Sequence, residues 1–278
     1  MIKKAEIIAV GANPDKYHEQ TEARGSVGFV MGAGQLRAFA ACPRRWVTPF
    51  EQDGEMRYWE PPETPAKLLG AIVDCLVLTP GDFRERFFVL PKDCPRRPSA
   101  RQIGAAKKSE STEESIRFWL HVEEQRAAGK TIVTEDDLAL AKNIAQAVGS
   151  SATFLAACKK QVWLKGEYHA ENGMVIPTKA LVDAMPGEGA AEEPEFVERP
   201  WMLRTLFDLK TCRSADVRSW ARFAFSVGYH VQAAWYYDHA VAAGLDVENF
   251  GFLLVETEPP HVVGRRIMTN DENGAITF

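Results

Sequence analysis

No stretch of this chain approaches the roughly eighteen consecutive apolar residues that cross a bilayer. Its first apolar run stops at Val10, too short for the hydrophobic segment of a secretory leader. Cysteine is scarce. The five thiols (Cys42, Cys75, Cys94, Cys158 and Cys212) are odd in number and show no CxxC pairing, which excludes a disulfide scaffold and a zinc ribbon. Reduced thiols in a cytoplasmic protein are the expectation. The six histidines show neither HExxH nor paired zinc spacing. A G-x-x-x-x-G-K-[ST] loop and a Rossmann glycine fingerprint are both missing, which argues against a nucleotide-driven motor. Overall basic charge is missing too, since the net charge is −5. Any contact with a polyanion must therefore come from local clusters.

What is present is globular material, with 46% hydrophobic and 26% charged residues. Residues 1–26 read as a leader with a turn at Gly11–Pro14, poorly ordered. An amphipathic helix is predicted over about Thr64–Leu78, with Leu68, Leu69, Ile72, Val73 and Leu76 on one broad face. Residues 92–108 form a basic, proline-containing loop (Lys92, Arg96, Arg97, Arg101, Lys107 and Lys108 against Asp93), and helices follow near 112–128 and 134–149. Strands are predicted over Val162–Ala170, Met174–Met185 and Trp201–Leu209. Two helices come next, the first capped by Ser214 and running to Ser226, the second over Tyr229–Ala243. Phe250–Glu256 and Val262–Met268 close the chain as strands. This order predicts a single α/β domain with a central mixed sheet flanked by helices, over 27–278, with a helical insertion at about 92–160.

Chemistry concentrates in a few places. Leu203, Leu206, Phe207 and Leu209 mark an interior strand on which Asp208 and Lys210 share one face. Opposite charges there are costly unless they serve a site, although a solvated strand edge also yields Asp-x-Lys. Asp183 ends another apolar strand, after Lys179-Ala-Leu-Val. If the two strands pair, the carboxylates converge. Hard oxygen donors of this kind suit Mg²⁺ or Mn²⁺ better than zinc. A lysine beside them can orient a water, help deprotonate it, or stabilise charge on a phosphate. Gln232 and Tyr236 lie four apart and share a helix face. Asp74 interrupts the apolar face of the 64–78 helix, as a surface residue or as a third carboxylate of the site.

The ordered set Gly70-x-x-x-Asp74, Asp183, Asp208-x-Lys210 and Gln232-x-x-x-Tyr236 resembles the PD-(D/E)XK nuclease superfamily. Within it, the set is most similar to phage and prophage RecE-type exonucleases and their RecB-like relatives. Leu36-Arg-Ala-Phe, Cys42-Pro-Arg-Arg-Trp46, Leu76-Val-Leu-Thr-Pro80 and Phe207-Asp-Leu-Lys-Thr211 add to the likeness, which runs from about Val27 to Glu256. The resemblance implies a restriction-endonuclease-like core. Asp183, Asp208 and the Leu209 carbonyl would hold Mg²⁺ (or Mn²⁺), Lys210 would position or activate the water, and Gln232 and Tyr236 would support the lysine and the DNA backbone. Asp74 stands where these subfamilies usually carry a histidine ligand, and lambda exonuclease has an acid at the comparable place. Nothing follows Cys212 to complete a four-cysteine iron–sulfur cluster, so none is expected. The implied activity is digestion of linear double-stranded DNA, 5′ to 3′, leaving 3′ single strands for an annealing protein. The enzyme would work as a ring-shaped homo-oligomer, with Arg96, Arg97, Arg101, Lys107 and Lys108 on the DNA backbone. An endonuclease or CRISPR-associated nuclease on the same fold, or a catalytically weak DNA-binding protein, are the alternatives.

Overall fold

The computed structural model describes residues 1–19, 22, 24, 26, 28–270 and 276–277. Val27, where the resemblance begins, lies outside the described residues.

One mixed sheet organises the chain. Its strands are β1 (Ile2–Ala9), β2 (Met31–Gly32), β3 (Cys158–His169), β4 (Val175–Pro186), β5 (Thr205–Cys212), β6 (Asn249–Glu256), β7 (Val263–Asn270) and β8 (Ile276–Thr277). They run in the order β1-β3-β4-β5-β6-β7-β8, with β2 paired to β4. The β1–β3–β4 and β6–β7 pairs are antiparallel, and β5 and β6 are parallel over their full length. Between β4 and β5 the ladder holds at one pair alone, Ala184 with Phe207. The strands part beyond it.

Helices cover both faces. Those used below are α1 (Ala33–Ala41), α2 (Pro65–Leu78), α3 (Glu110–Ala127), α4 (Glu135–Val148), α5 (Val217–Ser226) and α6 (Tyr229–Ala242). Thr64 starts α2 by accepting from the Lys67 N–H, with Pro65 in the first turn, where its missing N–H costs nothing. Thr134 and Asp137 form a capping box at the start of α4. Alternation along β5 divides the core. Leu206 and Cys212 join Trp220, Ala233, Tyr236 and Phe252 on the α5–α6 side, while Phe207 and Leu209 join Ile72, Val73, Ile144 and Phe154 on the α2–α4 side. Each large side chain buried in these layers contributes about 1.5–3 kcal/mol.

Five expectations change. The supposed leader is β1 for most of its first ten residues. Its lysines face solvent because it pairs on one side only, so an edge strand reads as a polar segment. Trp201 belongs to a short 3₁₀ turn, Pro200–Arg204, and β5 starts at Thr205. The α5 cap is Asp216, whose Oδ1 accepts from the Ser219 N–H at 3.0 Å, while Ser214 accepts from the Asp216 N–H. The 92–108 segment is pinned, since Trp119 Nε1 donates to the Pro95 carbonyl at 2.8 Å and Ser115 Oγ to that of Arg96. It also carries a helical turn, Ala100–Ile103. The insertion that follows is not wholly helical, because Thr131–Thr134 pairs in parallel with Phe87–Leu90.

Candidate active site

The parting of β4 from β5 creates the site. Beyond Ala184–Phe207 the Leu209 N–H has lost its ladder acceptor, and a buried amide must find another. The Asp183 carboxylate supplies it, with Oδ2 accepting from the Leu209 N–H at 2.8 Å. Asp183 Oδ1 accepts from Gln161 Nε2 at 3.2 Å. On β5, Asp208 is 1% exposed. Its Oδ1 accepts from Gln232 Nε2, on α6, at 2.8 Å. Its Oδ2 lies against the Lys210 ammonium in an ion pair.

Electrostatics bind this group into a unit. Burial holds the Asp183 carboxyl well above the usual carboxylate range, and Asp208 and Asp74 push it further, against Lys210 and the Leu209 N–H. Burial also raises Asp74 to about 7, Lys210 pulling it down and Asp208 pushing it up. Burial lowers Lys210, but the charges of Asp208, Tyr229, Asp183 and Asp74 outweigh this and hold its pKa above the ordinary lysine value. Lys210 is therefore an ammonium at neutral pH, suited to orienting a water or stabilising negative charge and not to taking a proton. Tyr229 roofs the ammonium, which lies 5.2 Å from the ring centroid.

The structure thus brings Asp74, Asp183, Asp208, Lys210 and Gln232 to one place. Tyr236 is buried one turn beyond Gln232, close enough for both Asp208 and Asp183 to raise its hydroxyl pKa after burial and Tyr17. Arg96, Arg97, Arg101, Lys107 and Lys108 are exposed on the insertion. Arg97 is engaged there by Glu123 at 2.7 Å and lies over the Trp119 ring, and Lys108 donates to the Ala105 carbonyl.

Sequence reasoning missed Gln161. It sits in β3 with φ +47°, a left-handed conformation that a non-glycine residue adopts only when its surroundings impose it. The N–H groups of Gly11 and Ala12 donate to the carbonyls of Lys160 and Gln161. They brace the kink that turns the Gln161 amide toward Asp183. Gln161 Oε1 is buried and accepts no hydrogen bond. No residue-type pattern marks this position, because the signal is a backbone conformation.

Asp183 and Asp208 are carboxylates of a kind that fits a hard divalent cation, and Asp74 interacts electrostatically with both. Among the described residues, no three acidic, histidine or cysteine side chains are grouped so that they could hold a metal ion. Positive charge beside Asp208 comes from Lys210 instead. A surface cavity of about 420 Å³ lies elsewhere, lined by Ser151, Trp201, Arg265 and Ile267 among others and by none of these acids.

No family model matches this chain, and neither does any curated protein. Among solved structures, a Eubacterium rectale protein provisionally named an exonuclease aligns over 88% of this chain and 73% of its own, with a TM-score of 0.46 and 17% identity. That likeness is too distant to carry function. Among the described residues, no helix is long and apolar enough to cross a membrane.

Proposed function

We propose that this chain is a divalent-metal-dependent deoxyribonuclease of the PD-(D/E)XK kind, acting as an exonuclease on linear duplex DNA. One observation carries the reading. Where β4 and β5 part, two carboxylates, a charged lysine and a helix-borne glutamine meet through Asp183–Leu209, Asp208–Lys210 and Asp208–Gln232. A structural ion pair needs one acid for one lysine. Three acids around a single ammonium, two of them with carboxyl pKa values raised by burial and by their acidic neighbours, exceed what an ion pair requires and point to a site.

Asp183, Asp208 and the Leu209 carbonyl would hold Mg²⁺ or Mn²⁺, with Asp74 as a further oxygen donor. A cation bound there would supply charge neutralisation at the phosphate and would acidify a water. Lys210 orients the attacking water and stabilises the charge that develops as the phosphodiester is attacked. Gln232 fixes the Asp208 carboxylate, and with Tyr236 it would support Lys210 and the DNA backbone. Exposed Arg96, Arg101 and Lys107 would contact the DNA backbone away from the site, with Arg97 and Lys108 exchanging their present partners for phosphates. The RecE-type resemblance supports 5′ to 3′ digestion, a homo-oligomeric ring, cytoplasmic location and delivery of 3′ single strands to an annealing protein.

The test is a linear duplex labelled at its 5′ or its 3′ end, with and without Mg²⁺. Metal-dependent loss of the 5′ label as mononucleotides supports the proposal, and loss of the 3′ label first reverses the polarity. Rapid cutting of covalently closed circles would instead make the enzyme an endonuclease.

A further inference from the structure

Arg218, Arg222 and Phe225 share the outer face of α5, and Phe223 lies on its flank toward Tyr229. Arg218 and Arg222 are exposed, and Phe223 and Phe225 are 45% and 43% exposed. No acidic residue occurs between Val217 and Val231, although the chain as a whole carries −5. Val227, also exposed, extends the face toward α6. Buried Trp220 anchors the helix from below, its ring 5.3 Å from Phe252 of β6.

This face is continuous with the candidate site. Lys210 Nζ lies 5.2 Å from the Tyr229 ring centroid, and that ring lies 6.0 Å from the ring of Phe223, at the surface. Arg37 of α1 approaches the same Tyr229 at 5.4 Å. His230, next along, lies 4.8 Å from Phe225, the two rings tilted by 33°. Gly228, at φ +75°, makes the sharp turn that sets α5 beside the start of α6. A Cβ there would meet Arg37 Cδ at 3.2 Å.

We infer that the outer face of α5 binds an unpaired nucleic-acid strand leading to or from the Lys210 site. Arg222 and Arg218, the latter beside the capping Asp216, can neutralise phosphates. Exposed aromatic rings stack on bases, and only an unpaired strand offers its base faces. In a duplex those faces are already stacked, so the phenylalanines would have nothing to grip. The choice of a nucleic acid as partner rests on the nuclease reading. The choice of an unpaired strand rests on the composition of the face.

The test uses the whole chain in Ca²⁺, which suppresses cleavage, and follows the anisotropy of fluorescein-labelled oligothymidine and of a hairpin duplex of equal length. F223A/F225A should weaken oligothymidine binding by about tenfold or more and change duplex binding by less than about twofold. R218A/R222A should weaken both and flatten the dependence of log K on log salt for the single strand by about 1.4. The substituted side chains are exposed, so unchanged circular dichroism and Tm serve as the folding control. If neither double variant alters binding, the inference fails. It fails too if F223A/F225A leaves oligothymidine binding intact but dissociates an oligomer in sedimentation, which would make the face a contact between copies. A wild-type chain that cleaves no DNA in Mg²⁺ but shows this binding pattern would overturn the proposed function and leave the strand-binding face standing.

Discussion

His239 holds α6 in the register that places Gln232 over Asp208, and it does so only while neutral. The side chain is fully buried, with Nδ1 donating to the Trp235 carbonyl at 2.7 Å and Nε2 facing the Thr178 hydroxyl of β4 at 2.9 Å. Trp235 Nε1 in turn donates to the Lys179 carbonyl at 2.9 Å, so α6 is fastened to β4 twice within one helical turn. Burial lowers the His239 pKa from 6.5 to about 4. On acidification the unfolded chain takes up this proton first. The stability is complete above pH 6.5 and is lost as the pH falls from 6.5 toward 4. A difference of about 2.5 pH units corresponds to about 3 kcal/mol. Urea denaturation of the wild type and of His239→Gln, at steps between pH 7.5 and 4, isolates this contribution from every other titrating group. At pH 7.5 the variant should be less stable by about 1–3 kcal/mol, the cost of disturbing two buried hydrogen bonds. The wild type should lose about 3 kcal/mol relative to the variant by pH 4. Parallel stability curves, or an imidazole that titrates near 6.5 by NMR in the folded protein, would refute the reasoning.

Three further outcomes follow from the site and its surroundings. Lys210→Ala should abolish cleavage while keeping DNA affinity within a few-fold, and should lower metal-free stability by about 3–5 kcal/mol, because it leaves buried carboxylates uncompensated; activity above a tenth of wild type would remove Lys210 from the chemistry. Gln161→Ala should weaken Mn²⁺ binding, measured by calorimetry, by about tenfold or more through a misdirected Asp183, in the range of losses seen when a supporting partner of a ligand is removed; unchanged Mn²⁺ affinity would leave Gln161 a purely structural kink. Gly251→Ala should cost about 1–3 kcal/mol in chemical denaturation, since its Cβ would meet Ile267 Cδ1 and Phe207 Cε1 at 2.8 Å in the layer beneath β5; a neutral result would show that the β5–β6 layer has slack.

The helices and central strands were legible because their apolar periodicity is strong. α2 lies within a residue of its predicted span, and Asp208-x-Lys210 stands on an interior strand as its neighbours required. The misses have physical causes. β1 hides behind its lysines because an edge strand needs one buried face at most. The basic 92–108 segment reads as free charge, yet it is tied down through the backbone carbonyls of Pro95 and Arg96, which sequence composition does not register. Gln161 was invisible for a similar reason, since its importance lies in a positive φ and in the N–H groups of Gly11 and Ala12 behind it.

That last dependence changes how the site should be regarded. A sheet whose β4–β5 ladder continued past Ala184–Phe207 would satisfy the Leu209 N–H with a backbone carbonyl and leave Asp183 to solvent. Here the carboxylate has taken the place of the ladder, which keeps the strands apart and turns one of its oxygens toward Gln161. Substituting Asp183 by alanine would therefore remove more than one charge. It would leave a buried amide without an acceptor, a loss of about 1–3 kcal/mol, and would release the strands to close. Asp183→Asn keeps the acceptor and removes the charge, so it is the variant that separates Asp183 as a ligand from Asp183 as the wedge between β4 and β5. If Asp183→Asn keeps the stability of the wild type while losing cleavage, the two roles reside in one side chain, and the opening that makes the site is built by the residue that works in it.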